Sequence, residues 1–264
     1  MRGRASVSIA LVALGVLLSS TVSNAQSPGH GSHLFIPVDG SFGHRNDTVQ
    51  SLNWAGYAAS GQHFTAVRST FTVPTAAVTG PGFSAAWTGI GGYDSNDLIQ
   101  AGASMDSLGT TDYYAWYEML PAAETRISSG CSSDSTCAVH PRDVITVTVK
   151  YNNGTSWTIS ISNAGHWSWT KNVTYTSLFN SAEWILEAPS LGPVQTWMSN
   201  VGTVHFNPNN QYQVNGTNTW LNMATANPDK VVLAFAEGMP SAIDSGGDGF
   251  NVCAYATSCS TPGN

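Results

Sequence analysis

The chain has 264 residues, a net charge of −7 and only 9% Asp, Glu, Lys and Arg. Nine Lys and Arg in all argue against a nucleic-acid partner or an anionic membrane surface, since both need clustered positive charge. Low charge with abundant Ser, Thr, Asn and Gly fits an exported β protein.

The first elements are not structural. Arg2 and Arg4, the apolar run Val7 to Leu18 and the small residues Ser23 and Ala25 predict an export signal over residues 1–25, cut before Gln26. The run is short for a membrane span and no later segment qualifies, so the expected location is extracellular. Losing the signal removes two basic residues and no acid, which leaves seven against sixteen, a charge of about −9. Residues 26–50, rich in Gly, Ser, His and Asp, read as a flexible leader or short propeptide. Gly29-His30-Gly31-Ser32-His33 is too sparse to read as a metal site. Arg45 is the stretch's only fixed positive charge, while His30, His33 and His44 can charge on acidification. That permits either a pH-triggered activation segment or a plain extension.

From residue 51 to 264 the pattern is that of a single β domain. Asn53–Ala58 and Val67–Pro74 read as strands with Gly61 in the turn between them; Ala85–Gly92, Leu98–Gly102 and Tyr113–Met119 follow. Ile145, Val147, Val149 and Tyr151 alternate with polar residues, Asn153-Gly154 predicts a type I′ turn, and Trp157, Ile159 and Ile161 resume the alternation. His166–Thr170, Ser181–Glu187, Val201–Phe206 and Val231–Ala236 complete the set. Helical periodicity over any length is missing, so the predicted class is all-β, an antiparallel two-sheet sandwich.

The four cysteines fall into the local pairs Cys131/Cys137 and Cys253/Cys259. Three connectivities are possible in an exported chain, and the two local bridges are the favoured pairing. The scattered histidines show no metal-ligand spacing, so no metal or cofactor is expected. Asp244–Gly249 lacks the length and terminal glutamate of an EF-hand loop. Nucleophile elbows and phosphate-binding glycine loops are missing too. Asn153, Asn172 and Asn215 head N-x-Ser/Thr sequons.

Carboxylates are what remains for chemistry. In a strand at 181–187, Glu183, Ile185 and Glu187 share one face and Trp184 and Leu186 the other. Such half-buried acids are suited to proton transfer. Glu118 ends the aromatic run Tyr113–Tyr117. Paired acids among aromatics fit glycoside hydrolysis or water-mediated peptide hydrolysis, and Trp platforms also fit a carbohydrate-binding module. Trp87, Trp116 and Trp184 are equally explained as core.

Five motifs occur in order: Asn53-Trp54-Ala55-Gly56-Tyr57, Ala86-Trp87-Thr88-Gly89-Ile90, Leu98-Ile99-Gln100-Ala101-Gly102, Tyr114-Ala115-Trp116-Tyr117-Glu118 with Pro121, and Ala182-Glu183-Trp184-Ile185-Leu186-Glu187. Together, over about residues 52–210, they resemble the glutamic peptidase (eqolisin) family. The resemblance implies a concanavalin A-like β-sandwich with its active site on the concave face. It implies polypeptide substrates and a catalytic pair of Gln100 and Glu187, with Trp87 and Glu118 supporting them and Glu183 and Trp116 as neighbours. A monomeric secreted enzyme with an acid optimum is the corresponding expectation. Several fungal members place aspartates where this chain has Gly91, Ser104 and Tyr114. The loss of those like charges predicts a less extreme acid optimum.

Overall fold

The computed structural model describes residues 30, 33–38, 46–78, 80–192 and 194–263; the predicted export signal lies outside them. Its strands, in chain order, begin with β1 (Thr48–Ser51), β2 (Trp54–Ser60), β3 (Phe64–Thr72), β4 (Ala85–Gly91), β5 (Leu98–Ser107) and β6 (Thr111–Met119). Next come β7 (Thr125–Arg126), β8 (Val144–Asn153), β9 (Ser156–Asn163), β10 (Trp167–Thr174), β11 (Ser181–Glu187), β12 (Ser190–Leu191) and β13 (Val194–Gln195). The last are β14 (Thr203–Phe206), β15 (Gln211–Val214), β16 (Leu221–Asn222), β17 (Asp229–Leu233), β18 (Gly238–Pro240) and β19 (Phe250–Ala254).

They form two facing layers. The inner sheet runs β1-β17-β2-β11-β4-β5-β6-β7. The outer one runs β10-β9-β8-β3, continued by β15 and by β14-β19-β18. A single pairing, Leu233 with Gly238, carries the hydrogen bonding from one layer to the other. The sheet therefore curls over on itself as a sandwich. One detail departs from the all-antiparallel expectation: β1 and β17 are parallel.

Burial explains which strands were easy to read. In β8 and β9 one face packs on the core and the other meets solvent, so buried and half-exposed residues alternate. Every residue of β4, β5 and β11 is buried, and such strands carry no alternation. That is why β5 was expected to end at Gly102 yet continues to Ser107. The β8–β9 turn is also corrected. Gly154 adopts φ 57°, but Asn153 and Thr155 do not adopt positive φ, which matches type II′ rather than I′.

The core between the layers holds Trp184 and Leu186 with Phe71, Val147 and Ile159. A second apolar cluster lines the concave face, where Ile185 meets Trp54, Trp87 and Trp116. The side chains of β11 thus divide as strand periodicity requires. Gly56 makes the close β2–β11 pairing possible, since a Cβ there would lie 2.1 Å from the Trp184 carbonyl oxygen. The disulfides are Cys131–Cys137 and Cys253–Cys259, the two local pairs.

Two boundaries shift. The stretch read as a flexible leader contributes Thr48 to Gln50 to β1, and Pro37 bridges Ser51. The region after residue 210 is integral, because β15 pairs with β3 and β17 with β2. Within the 244–249 loop, Asp244 accepts the Gly247 and Asp248 backbone N–H groups, and Asp248 accepts that of Asn209. Both carboxylates are used in shaping the loop.

Candidate active site

Glu187 closes β11 on the same face as Ile185, with no solvent exposure. Its Oε2 accepts the Trp87 indole N–H at 2.8 Å, and its Oε1 accepts the Asn53 amide N–H at 3.0 Å. Trp87 comes from β4, opposite Ile185, two pairs away from Glu187 and on the same face. Asn53 is set by Ser51 and by the turn into β2. Two neutral donors on adjacent strands fix the orientation of the carboxylate.

Gln100 is buried on β5 beside Glu118 of β6, its direct cross-strand partner. Its amide Nε2 donates to Glu118 Oε2 at 2.7 Å, while Gln100 Oε1 has no hydrogen-bond partner among the described residues. Gly89 opposite makes room for it: a Cβ there would come within 2.8 Å of the Gln100 Cβ. Burial pushes the Glu118 carboxyl up to about 7, with the charges of Glu187 and Glu124 adding to it and His33 and Gln100 opposing. The cross-strand row of Gln100 runs through Gly89 to Glu183, not to Glu187, whose own row passes Ala85 to Ser104. Gln100 and Glu187 therefore belong to neighbouring parts of one concave surface, without a direct hydrogen bond between them.

Between these groups lies His33. Its Nδ1 is 2.8 Å from Glu187 Oε2, its ring stacks on Trp116 at 4.8 Å, and it is fully buried. The backbone around it is held as well: Trp54 Nε1 donates to the His33 carbonyl, and Asn53 Nδ2 to that of Leu34. Phe35 N–H donates to Gly92 O. His30 follows the same path, its Nε2 3.2 Å from Asp106 Oδ2. Burial alone would lower both imidazoles, but the acids around them win. His30 is raised to about 9 by Asp106 and Glu124, and His33 is raised well above its ordinary value by Glu187 and Glu124. Burial likewise opposes ionisation of Glu124, yet His30 and His33 hold its carboxyl well below the usual range.

This corner also corrects the expectation drawn from Ser104 and Tyr114. Carboxylates are not lost from the region but displaced: Tyr114 OH donates to Glu124 Oε1 at 3.0 Å and lies 3.5 Å from Asp106. The premise of reduced like-charge repulsion does not hold. Of the leader histidines, His44 lies outside the described residues, and the acids around His30 and His33 raise both imidazoles above their ordinary value.

Glu183 stands apart from this network. It is fully buried, neither oxygen has a hydrogen-bond partner among the described residues, and burial, followed by the charges of Asp94 and Asp97, raises its pKa well above 4.5. Trp116 is a buried floor under His33. The sequence reading missed four contributors: Asn53, present in a quoted motif but given no role, and His33, Asp106 and Glu124. Only folding brings His33 to a residue 154 positions away.

The chain is a curled β-sandwich that carries a buried glutamate, glutamine and tryptophans on its inner sheet. The Peptidase A4 family model matches residues 52–234, and the chain belongs to that family. It is a glutamic-type peptidase. A sequence search of curated proteins finds no match. Among solved structures, scytalido-glutamic peptidase with a peptide-based transition-state analog is similar, with TM-score 0.62 and 21% identity over 76% of this chain and 98% of that one. SCP-B, an eqolisin solved with the tripeptide Ala-Ile-His, gives TM-score 0.59 and 20% identity over 77% and 98%.

Proposed function

We propose that the chain is an exported acid endopeptidase in which Glu187 is the general base and Gln100 the oxyanion donor. The observation that carries this is the Glu187 carboxylate, buried on the concave face and oriented by Trp87 and Asn53. Glu187 takes a proton from a water and directs the resulting hydroxide at the scissile carbonyl. It then returns that proton to the departing amine. One amide hydrogen of Gln100 is used on Glu118, which fixes the group; the second serves the developing oxyanion, and Oε1 helps hold the water. One such donor is worth about 3 kcal/mol by analogy with other oxyanion holes. The peptide ligands of the two similar structures support a polypeptide-binding cleft.

The leader is read as an activation segment. His33 occupies the Glu187 oxygen that faces the cleft, so substrate enters only when the segment leaves. The test is digestion of a denatured protein at acid pH, with pepstatin present, by the chain freed of residues 26–45, which keeps β1. Wild type should cut, while Glu187→Gln and Gln100→Ala, folded and secreted normally, should lose at least about 100-fold. Wild-type activity in either variant overturns the assignment.

A further inference from the structure

Three buried polar atoms converge beside the proposed active site and find no hydrogen-bond partner among the described residues: His30 Nδ1, His33 Nε2 and Glu124 Oε2. Their side chains are 0%, 0% and 2% exposed. The glutamate oxygen is 3.4 Å from the first nitrogen and 3.6 Å from the second, and all three atoms lie within 4.8 Å of one another. These separations are too long for good N–H···O bonds, which cluster near 2.9 Å. His33 makes a proper one on its other side, 2.8 Å to Glu187, so the gap is not general looseness. Tetrahedral coordination with bonds of about 2.0–2.1 Å separates ligand atoms by about 3.3 Å; the two nitrogen–oxygen separations are close to this, and the two nitrogens, within 4.8 Å of each other, draw together on binding.

We propose that His30 Nδ1, His33 Nε2 and Glu124 Oε2 bind a zinc-class divalent cation that fastens the leader into the cleft. The surroundings match those of such sites, where the far nitrogen of each imidazole donates to a carboxylate. Here His30 Nε2 faces Asp106 and His33 Nδ1 faces Glu187, while the other oxygen of Glu124 accepts from Tyr114. Two imidazoles and a carboxylate suit zinc or cobalt, whereas calcium and magnesium prefer all-oxygen sites. Three protein ligands leave a fourth position for water. The histidine spacing alone had looked too sparse for a metal, because the third ligand arrives from ninety-one positions beyond His33 in the sequence. The cation site stands on its own geometry; only its consequence, a metal-locked latent enzyme, rests on the proposed function.

The mature chain, residues 26–264, is purified at neutral pH and stripped with a chelator, its mass confirming that His30 and His33 are retained. It is then titrated with Zn²⁺, with Co²⁺ and with Ca²⁺ as a control. We expect one zinc per chain, a cobalt spectrum of four-coordinate intensity, and no calcium binding. His30→Ala and Glu124→Gln should each weaken zinc at least 100-fold. His30 is buried against Asp106, so the melting curve of each metal-free variant is recorded beside the titration, and zinc binding is compared only for chains that still unfold cooperatively. The exposed His140 and His166, on either side of the buried Asp143, are the rival site. Zinc binding unchanged in both variants but lost in His166→Ala, or no stoichiometric binding, overturns the proposal. No peptidase assay enters this result, so failure of the catalytic reading leaves a separate signature.

Discussion

His33 Nδ1 lies 2.8 Å from Glu187 Oε2, and neither side chain has any solvent exposure. One oxygen of the proposed base is thus held by the chain's own leader as well as by the Trp87 indole. A buried hydrogen bond between charged groups contributes roughly 1.5–3 kcal/mol, or about 10–100-fold in occupancy. The intact chain should therefore digest protein roughly 10–100-fold more slowly than the chain freed of residues 26–45. His33→Ala in the intact chain should recover much of that difference. Equal initial rates for intact and trimmed chains would contradict the assignment.

Trp87 supplies an indole N–H to Glu187 that no other aromatic residue reproduces. Trp87→Phe keeps most of the apolar bulk but removes the donor, and a lost hydrogen bond to a charged group costs about 1.5–3 kcal/mol. The expected result is kcat lower by about 10–100-fold with a smaller change in KM. A pure KM effect would indicate that the indole only lines the cleft.

Gly89 tests the placement of Gln100. In Gly89→Ala the new methyl meets the Gln100 Cβ at 2.8 Å and the Ile99 carbonyl oxygen at 2.9 Å, so β5 must shift. Overpacking of this kind costs about 1–3 kcal/mol. Activity should fall by more than stability accounts for, measured as kcat on the fraction of chain still folded at the assay temperature.

Glu183 gives a pH dependence with a defined sign. Its folded pKa is raised, so below the ordinary 4.5 it is protonated in both folded and unfolded chains and its contribution is fully present. Above 4.5 the unfolded chain ionises and the folded one does not, so stability falls by up to about 1.4 kcal/mol per pH unit until the folded pKa is reached. Glu118 adds to the same decline between 4.5 and about 7. Glu183→Gln should flatten the fall in melting temperature between pH 4.5 and 7. An unchanged slope would show that Glu183 does not carry it.

The sequence by itself determined the all-β class, the sharing of one face by Glu183, Ile185 and Glu187, and both disulfide pairs. Each of these depends on local periodicity or short spacing, and β8 and β9 were the most legible because one face of each is wet. Motif order also nominated Gln100 and Glu187, which no local pattern would have chosen. Only the tertiary structure decided what surrounds them. Asn53 and Trp87 reach Glu187 from two other strands, Glu118 holds Gln100 through register, and Asp106 and Glu124 replace the acids absent at Ser104 and Tyr114. Least legible was the leader: two histidines in a glycine-rich stretch carry no periodic signal. Their role arises because a curled sheet gathers acids from distant strands into one buried pocket, where a positive partner is required.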